Sequence, residues 1–255
     1  MENKLILEYK KQADWRNWES YIEQLLINST DTILDLGCGT GDVTTLLAKR
    51  ASNVIGIDHN QEFIEFAEHD NKHKNKRYIR KDLKSIEELN LPLVDGIWSS
   101  FVAAYFPNFQ PILNKWLKLL KLNGWIALVE INDLFSHKLI EEDIEANFKK
   151  FYNEQRKNNI YDCEMGKKLK QCFLNKGIEI IFEKNMEDKE LVFTGIADGE
   201  IVEAWRKRFD RSLFLQKVFG KEYFNYVKDE FLKLLNKKEH YCESKIYFVK
   251  GKNRI

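Results

Sequence analysis

The chain of 255 residues predicts an α/β protein with a doubly wound, mostly parallel sheet of seven strands and helices on both faces. Two observations carry this prediction. Short apolar runs alternate with segments of helical period from residue 32 onward, and a glycine-rich turn directly follows the first run. We expect the ligand site at the carboxyl ends of the strands, beside the point where the strand order reverses.

Seven apolar runs are predicted strands. Five come first with helices between them: TILDL (32–36), NVIGID (53–58), RYIRKD (77–82), LVDGIWSS (93–100) and GWIALVEI (124–131). Two later runs, GIEIIFEK (177–184) and SKIYFVKG (244–251), are the last strands. Before the first strand, apolar residues at helical spacing predict a leading amphipathic helix, namely Trp15, Trp18, Ile22, Leu25 and Leu26.

The regular alternation loosens after the fifth strand. One apolar stripe at helical spacing consists of Ile140, Ile144, Phe148, Phe151 and Tyr152, and a second of Ile201, Val202, Trp205, Phe209 and Leu213. The second stripe lies in a connection of about fifty residues, far longer than the usual median of about five, which favours a lid. We expect a single domain over residues 1–255, with a core of about 28–132, 163–188 and 240–250 and lid elements of about 1–27, 133–162 and 190–239.

Composition narrows the classes of partner and compartment. Lys and Arg total 41 against 40 Asp and Glu, so a net charge of +1 gives no reason to expect nucleic acid or an anionic membrane. The four cysteines form no C-x-x-C pair and indicate reduced thiols. The N-terminus lacks the order of a signal peptide, and no uncharged run spans a membrane. We expect a cytoplasmic protein; its oligomeric state is left open.

The stretch TILDLGCGTGD, residues 32–42, places Gly37, Gly39 and Gly41 directly behind the first strand. Glycines without Cβ let backbone N–H groups and a helix terminus approach a ligand closely. The nicotinamide fingerprint is G-x-G-x-x-G, whereas this turn is G-x-G-x-G with Asp42 in place of the third glycine. Asp35 also lies two residues before the first glycine. These departures argue against a dehydrogenase.

The LDLGCGTG stretch resembles the first motif of the class I S-adenosylmethionine-dependent methyltransferases. The resemblance continues over residues 31–131, because VIGID ends the second strand with Asp58, RKDL ends the third with Asp82, and DGIWSSFVAAYF matches the fourth strand and its loop. It implies a Rossmann-like fold and S-adenosyl-L-methionine as cofactor, with S-adenosyl-L-homocysteine as product. The implied cofactor-binding residues are Asp35, Gly37, Cys38, Gly39, Thr40, Gly41, Asp58, His59, Asp82, Leu83 and Ser99.

Several of these residues have an alternative role. Asp58, 21 residues after the first glycine, is placed to accept hydrogen bonds from both ribose hydroxyls, and a helix N-cap is the alternative. Asp35 either caps the turn or reaches the cofactor amine through water. Asp82 contacts the adenine or caps a helix. His59 packs along the adenosine or is exposed, and Cys38 needs no redox role.

A catalytic base is optional, because the sulfonium is a good leaving group and the protein chiefly aligns the acceptor. For an oxygen or acidic nitrogen acceptor a base would help. His137 and Asp133 follow the fifth strand and are the favoured candidates. Glu130 and His240 are the alternatives.

The loop after the fourth strand bears on the acceptor. WSSFV lacks the Asn- or Asp-Pro-Pro-aromatic pattern of enzymes that methylate base amino groups or glutamine amides. The basic segment 71–81 would suit RNA, but the overall charge balance favours a solvated loop. His69 and His73 have no third ligand near them in the sequence, so no metal is predicted.

The helix EIVEAWRKRFDRSL presents Ile201, Trp205 and Arg208 on one face, which puts a guanidinium beside an apolar stripe. Such an arginine requires a partner. We expect an ion pair, with Asp162 as the candidate carboxylate; a clamp for an anionic group of the substrate is the alternative. Aromatic stripes are more often plain core, but we take the candidate acceptor residues to be Trp15, Phe101, Tyr152, Tyr161, Trp205 and Arg208.

The sequence therefore predicts S-adenosylmethionine-dependent O- or N-methylation of a small molecule. An RNA or protein methyltransferase is one alternative and would need an open cleft. A non-catalytic S-adenosylmethionine-binding or scaffold protein is another, although the intact glycine turn and Asp58 argue that cofactor binding is retained.

Overall fold

The computed structural model describes residues 4–69 and 73–254. Residues 1–3, 70–72 and 255 lie outside the described residues, and with them the beginning of the basic segment predicted at 71–81. The seven predicted strands are present in the described part, as β1 (Thr32–Leu36), β2 (Asn53–Asp58), β3 (Lys76–Arg80), β4 (Val94–Ser100), β5 (Leu120–Asn132), β6 (Glu179–Met186) and β7 (Lys245–Lys252).

The strands form one sheet in the order β3-β2-β1-β4-β5-β7-β6. Strands β1 to β5 pair in parallel, and β7 runs antiparallel to both β5 and β6. The order reverses at β1, which pairs with β2 on one side and with β4 on the other. The predicted doubly wound, mostly parallel sheet is confirmed.

Helices cover both faces of the sheet. The helices of the described residues are α1 (Lys4–Trp15), α2 (Trp18–Ile22), α3 (Asp42–Ala48), α4 (Gln61–Glu68), α5 (Phe109–Leu117), α6 (Glu142–Lys157), α7 (Leu169–Leu174), α8 (Gly199–Arg211), α9 (Leu213–Phe219) and α10 (Lys221–Leu234). One core joins α2, α3, α6, α8 and α10 to the face of Trp98 and Phe248. A second core packs α5 and α7 against the face of Leu34 and Leu128.

The predicted single leading helix is wrong, because the chain breaks between α1 and α2. Asn17 begins α2, and its Oδ1 accepts a hydrogen bond from the Ser20 N–H at 3.4 Å. Leu26 has φ of +54° and is exposed, so the predicted stripe ends at Leu25. The break directs Arg16 inward, where its side chain is only 10% exposed.

The predicted helical insertion before β7 is confirmed and contains α8, α9 and α10. Ile201, Trp205 and Phe209 form its buried stripe. Leu213 does not belong to that stripe, because α8 ends at Arg211 and the Leu213 side chain is exposed.

Two strand boundaries differ from the prediction. Strand β5 begins at Leu120, because the exposed residues 121–123 extend it beyond the buried apolar run. Strand β3 ends at Arg80, so Asp82 lies past the strand and begins a short 3-10 helix over Leu83–Leu89.

The turn between β1 and α3 needs left-handed backbone. Gly37, Gly39 and Gly41 have φ of +76°, +52° and +80°. A Cβ on Gly37 would lie 2.2 Å from Cγ2 of Val102, whereas a Cβ on Gly39 would meet nothing within 4 Å. Glycine at 37 is therefore required by packing as well as by φ, and glycine at 39 faces open space.

These two glycines give a matched test of the turn. Gly39→Ala is expected to lower the free energy of unfolding by about 1–2 kcal/mol through backbone strain alone. Gly37→Ala adds overpacking against Val102 and should cost about 2–5 kcal/mol. Urea unfolding of both variants measures the difference; equal losses would mean that Val102 moves aside and that packing does not constrain position 37.

Candidate active site

The candidate active site lies at the carboxyl ends of β1, β2 and β4, where the strand order reverses. The turn after β1 is tied to β2, because the N–H groups of Gly37 and Cys38 both donate to the Ile57 carbonyl, at 2.7 and 3.1 Å. Gly41 closes the turn by donating to the Cys38 carbonyl at 2.9 Å. The bare backbone of Gly39 therefore stands at the edge that a ligand would approach.

Asp58, the last residue of β2, lies against this turn. Its Oδ2 accepts a hydrogen bond from the Gly39 N–H at 3.0 Å, and its Oδ1 accepts one from the Asn60 N–H at 2.9 Å. Each carboxylate oxygen carries two lone pairs, so both keep room for one more donor. The N-cap of α4 is Asn60, and the capping alternative for Asp58 is wrong. His59 is exposed, with Nδ1 3.3 Å from Oδ1 of Asp58.

Asp35 is buried beneath the turn. Its Oδ2 accepts a hydrogen bond from the Thr44 hydroxyl of α3 at 2.6 Å. Desolvation raises the pKa of Asp35 to about 7; the Thr44 hydrogen bond opposes this shift, and the charges of Asp58 and Asp42 add to it. In this structure Asp35 orients the turn through α3.

Asp82 and Ser99 make local contacts at the ends of two other strands. Oδ1 of Asp82 accepts a hydrogen bond from the Lys84 N–H at 2.8 Å, which caps the 3-10 helix. The Asp82 side chain is exposed and Leu83 is buried, so capping leaves the carboxylate accessible. The Ser99 hydroxyl donates to the Leu36 carbonyl at 2.7 Å and joins β4 to β1.

Thr40 and Cys38 complete the turn. The Thr40 hydroxyl donates to Oδ2 of Asp42 at 2.5 Å. Burial raises the pKa of the Cys38 thiol, and the charges of Asp35 and Asp58 raise it further. The thiol therefore stays protonated and unreactive.

Helix α1 lies across this edge of the sheet. The Tyr9 ring is 4.9 Å from that of Phe63 in α4, and its hydroxyl interacts with that of Tyr105 after β4. Lys10 pairs with Asp42 at the start of α3. Helix α1 therefore spans the elements that follow β1, β2 and β4 and encloses the turn.

Four buried or half-buried charges join α1 to the insertion; we call Arg16, Asp188, Glu190 and Arg208 the roof network. Nε of Arg16 is 2.9 Å from Oδ2 of Asp188, and its Nη2 is 3.2 Å from Oε2 of Glu190. Arg208 of α8 pairs with the other oxygen of Glu190. The predicted ion pair of Arg208 is confirmed, but the partner was wrong, because Asp162 pairs with Lys168 in the described structure.

The roof network touches the end of β4. The Arg16 guanidinium lies 4.8 Å from the centre of the Phe101 ring. Phe101 has φ of +56°, and its N–H donates to the Val129 carbonyl at 2.8 Å. The ring is thereby held directly beyond the last residue of β4.

Tyr9, Tyr105 and Tyr161 form a tyrosine cluster beside this loop. The rings of Tyr105 and Tyr161 meet edge to face at 4.9 Å. Burial raises the pKa of both hydroxyls, the Glu130 charge adds to the rise, and the Arg208 charge opposes it. The Tyr105 side chain is nevertheless 54% exposed, so part of it is accessible to a ligand.

Glu130 lies at the base of the same region and is fully buried. Its Oε2 accepts a hydrogen bond from the Ala104 N–H at 3.1 Å, and its Oε1 accepts one from the Ile131 N–H at 3.0 Å. Desolvation raises the pKa of Glu130 to about 8 against these two hydrogen bonds, and Asp162 adds to the rise. The carboxyl is therefore largely protonated at neutral pH.

His137 is buried in the aromatic core of the insertion, with its ring 5.3 Å from that of Trp205. Its Nδ1 is 2.8 Å from Nε2 of His240, and its Nε2 is 3.7 Å from Sγ of Cys242. Desolvation lowers the pKa of His137 to about 3, with His240 and Arg208 adding to the effect. Both ring nitrogens are thus engaged away from the glycine turn, which favours a structural role.

Asp133 also makes structural contacts. Its Oδ1 accepts a hydrogen bond from the Tyr152 hydroxyl at 3.0 Å, and that hydroxyl accepts one from the Phe135 N–H at 2.8 Å. The Ser244 hydroxyl donates to the Asp133 carbonyl at 2.6 Å. Burial raises the pKa of Asp133. These contacts fix the turn after β5.

The predicted acceptor residues lie in three places. Phe101, Tyr161 and Arg208 lie around the roof network and the tyrosine cluster. Tyr152 and Trp205 are buried core residues, and the Trp205 indole donates to the Glu190 carbonyl at 3.1 Å. Trp15 is half-buried at the end of α1.

Sequence reasoning missed five residues of the site, namely Tyr9, Arg16, Tyr105, Asp188 and Glu190. Arg16 and Glu190 are 174 positions apart. No spacing rule connects residues so far apart. The only local signal in the sequence was Asn17, because asparagine favours the N-cap of a new helix and so places Arg16 between two helices.

A cavity of about 630 Å³ lies between α1, α2 and α3, and Thr40, Gly41, Arg16 and Trp18 are among its lining residues. Phe66 of α4 also lines this cavity, which therefore adjoins both the glycine turn and α4. Within residues 4–69 and 73–254, no group of three or more His, Cys, Asp or Glu side chains is arranged to hold a metal ion. No helix in the part of the chain that the structure describes is long and apolar enough to cross a membrane.

Comparison with known sequences supports this architecture. The profile of a family described as "Methyltransferase domain" matches residues 27–205. A demethylmenaquinone methyltransferase of Lactobacillus johnsonii is 29% identical over 151 residues, which cover 56% of this chain and 59% of that enzyme. The chain spans little more than half the length of the curated relatives it first matches.

Two solved structures share the fold. A Bacillus halodurans protein provisionally described as a methyltransferase has a TM-score of 0.64 at 15% identity, with 94% of this chain and 99% of that one covered. Coclaurine N-methyltransferase, bound to N-methylheliamine and S-adenosylhomocysteine, has a TM-score of 0.58 at 18% identity, with 92% and 70% covered. The family profile matches well over half of the length of this chain. The chain therefore belongs to the methyltransferase domain family, in the class I S-adenosylmethionine-dependent group.

Proposed function

We propose that this protein transfers a methyl group from S-adenosyl-L-methionine to a small-molecule acceptor. One observation carries the proposal: the open backbone of Gly39 is hydrogen-bonded to Asp58 at the point where the strand order reverses. Family membership supports the same reaction class. The relatives' names describe methyltransferases with different acceptors, so the acceptor and its methylated atom are proposals here.

The residues of the turn fit the chemistry of this cofactor. Asp58 keeps one acceptor position on each oxygen for the two ribose hydroxyls. Asp35, Asp42 and Asp58 surround the turn, so a sulfonium and an ammonium group are better matched to it than the pyrophosphate of a dinucleotide. We assign the adenine to Asp82 and Leu83 and the amino-acid part to the turn; His59 flanks the ribose.

When bound, the cofactor supplies an electrophilic methyl group on a sulfur that leaves readily. The contribution of this chain is then to hold the acceptor in line with that methyl group. Phe101 and the tyrosine cluster surround the space beyond β4, and we assign them to the acceptor. Tyr152 and Trp205 support that space by packing from behind.

The enclosure of the site supports a small acceptor over RNA or protein. Tyr9 contacts the elements after β2 and β4, and Arg16 pairs with two buried carboxylates of the insertion. A macromolecule would have to displace these contacts. The division into a catalytic core and helical lid elements is part of this proposal, and the cytoplasmic location inferred from cysteine usage stays a prediction.

Three side chains are candidates for the base that removes a proton from the acceptor. Asp133 and His137 stay predictions as bases, although their side chains are hydrogen-bonded to Tyr152 and His240 respectively. Glu130 is the better placed group, because its charge acts on the hydroxyls of Tyr105 and Tyr161. We propose that an acceptor proton passes through a tyrosine hydroxyl to the ionised form of Glu130, which predominates above about pH 8.

Replacement of Asp58 tests the cofactor assignment. Asp58→Ala should weaken S-adenosylhomocysteine binding by about 1.5–3 kcal/mol, because hydrogen bonds to a charged group are of that size. Calorimetric titration with S-adenosylmethionine, S-adenosylhomocysteine and NADH measures it, and Asp229→Ala, at an exposed position of α10, is the control. Unchanged affinity in folded Asp58→Ala protein would remove the ribose assignment, and binding of NADH alone would overturn the proposed function.

The two buried carboxyls predict a pH-dependent stability. The pKa of Asp35 rises from 3.8 to about 7 and that of Glu130 from 4.5 to about 8, so the folded chain holds both protons to higher pH than the unfolded chain. This contribution is present below about pH 4 and is lost as the pH rises through 7 to 8. The free energy of unfolding should therefore fall between pH 5 and pH 8.

Two matched variants test whether Asp35 and Glu130 cause this decrease in the free energy of unfolding. Asp35→Asn and Glu130→Gln keep the shape of the side chain but cannot ionise, and each should reduce the fall by about 1–3 kcal/mol. Urea unfolding at pH 5 and pH 8 provides the measurement. If the double variant loses as much free energy of unfolding between pH 5 and pH 8 as the wild-type protein, other groups cause the decrease.

A further inference from the structure

Arg208 of α8 carries hydrogen-bond donors that the protein does not use. Its Nη2 pairs with Glu190, and the guanidinium lies 4.7 Å from the centre of the Trp205 ring. Its Nε–H is buried and has no hydrogen-bond partner among residues 4–69 and 73–254. The side chain is still 21% exposed. An arginine held in this way by an ion pair and a ring is preorganised, and it has donors left for a ligand.

The groups that face Arg208 from the sheet side are also donors. The Arg208 charge acts on the hydroxyls of Tyr105 and Tyr161, which lie together in the tyrosine cluster. The nearest carboxyl of the sheet, Glu130, already accepts hydrogen bonds from two backbone N–H groups. The sheet side of Arg208 therefore offers hydroxyl donors to a ligand, whereas both oxygens of Glu130 already accept hydrogen bonds.

The charge balance favours a ligand with a single negative charge. Glu190 divides its two oxygens between Arg208 and Arg16, and Arg16 also pairs with Asp188. Arg16 is thus committed to two carboxylates, and Arg208 shares only one. A dianionic phosphate would need a second uncommitted cation, whereas a carboxylate needs one guanidinium fork.

We propose that Arg208, together with the hydroxyls of Tyr105 and Tyr161, binds a carboxylate of the methyl acceptor. The inference rests on the proposed function and narrows the acceptor to a small carboxylic acid with an apolar or aromatic body. The carboxylate is the anchor and another atom of the acceptor is methylated, because an oxygen that is hydrogen-bonded to a guanidinium is a weaker nucleophile.

Benzoate and benzamide provide a test that needs no knowledge of the acceptor, because they share a shape and differ in charge. Chemical-shift titrations of the S-adenosylhomocysteine-loaded protein give the two dissociation constants. The wild-type protein should bind benzoate at least tenfold more tightly than benzamide. Arg208→Gln should abolish this preference, and Arg206→Gln, an exposed arginine of the same helix, should preserve it.

A second variant separates ligand binding from support of the roof network. In Arg208→Gln/Glu190→Gln the lost positive charge is matched by a lost negative charge, so the remaining Arg16 and Asp188 stay balanced. If Arg208 anchors a carboxylate, the double variant also lacks the benzoate preference. Recovery of the preference in the double variant, its survival in Arg208→Gln, or binding of neither probe by the wild-type protein would overturn the inference. Failure to bind S-adenosylhomocysteine would count instead against the proposed function.

Discussion

The ion pairs of the roof network are the contacts on which the enclosure of the site depends. Asp188 and Glu190 are almost fully buried, and a buried carboxylate is tolerated only when it is paired and hydrogen-bonded. Asp188 is satisfied by Arg16 and by the N–H groups of Glu190 and Leu191. The N-terminal helix and the insertion before β7 are therefore held together over the sheet, because Arg16, directly after α1, pairs with both carboxylates of the insertion.

The part of the fold that follows local rules could be predicted from the sequence. Strands β1 and β2 are short apolar runs, and the turn after β1 needs glycine at positions of positive φ. Asp58 could also be predicted, because it ends the second strand at a fixed spacing from the glycine turn. The break of the leading helix was not predicted, because apolar spacing continued through Asn17 although that residue favours a helix start.

The acceptor side could not be predicted, because its residues come from distant parts of the chain. Tyr9, Arg16, Tyr105 and Glu190 have no common period or motif, and folding alone brings them to one edge. Arg208 illustrates the limit. Its position on an apolar helix face correctly predicted an ion pair, but the choice between Asp162 and Glu190 depends on the path of the insertion.

The two halves of the site are also electrostatically different. Around the glycine turn, burial makes Asp35 costly to ionise, and the charges of Asp58 and Asp42 add to that cost. A cation bound at this turn would lower that cost, whereas an anion would increase it. The roof network, with two arginines and two carboxylates, cancels its own charge and leaves the donors of Arg208 as its uncommitted groups. A cationic methyl donor and an anionic acceptor would therefore each meet the half of the site that favours its charge, and they would attract each other along the line of transfer.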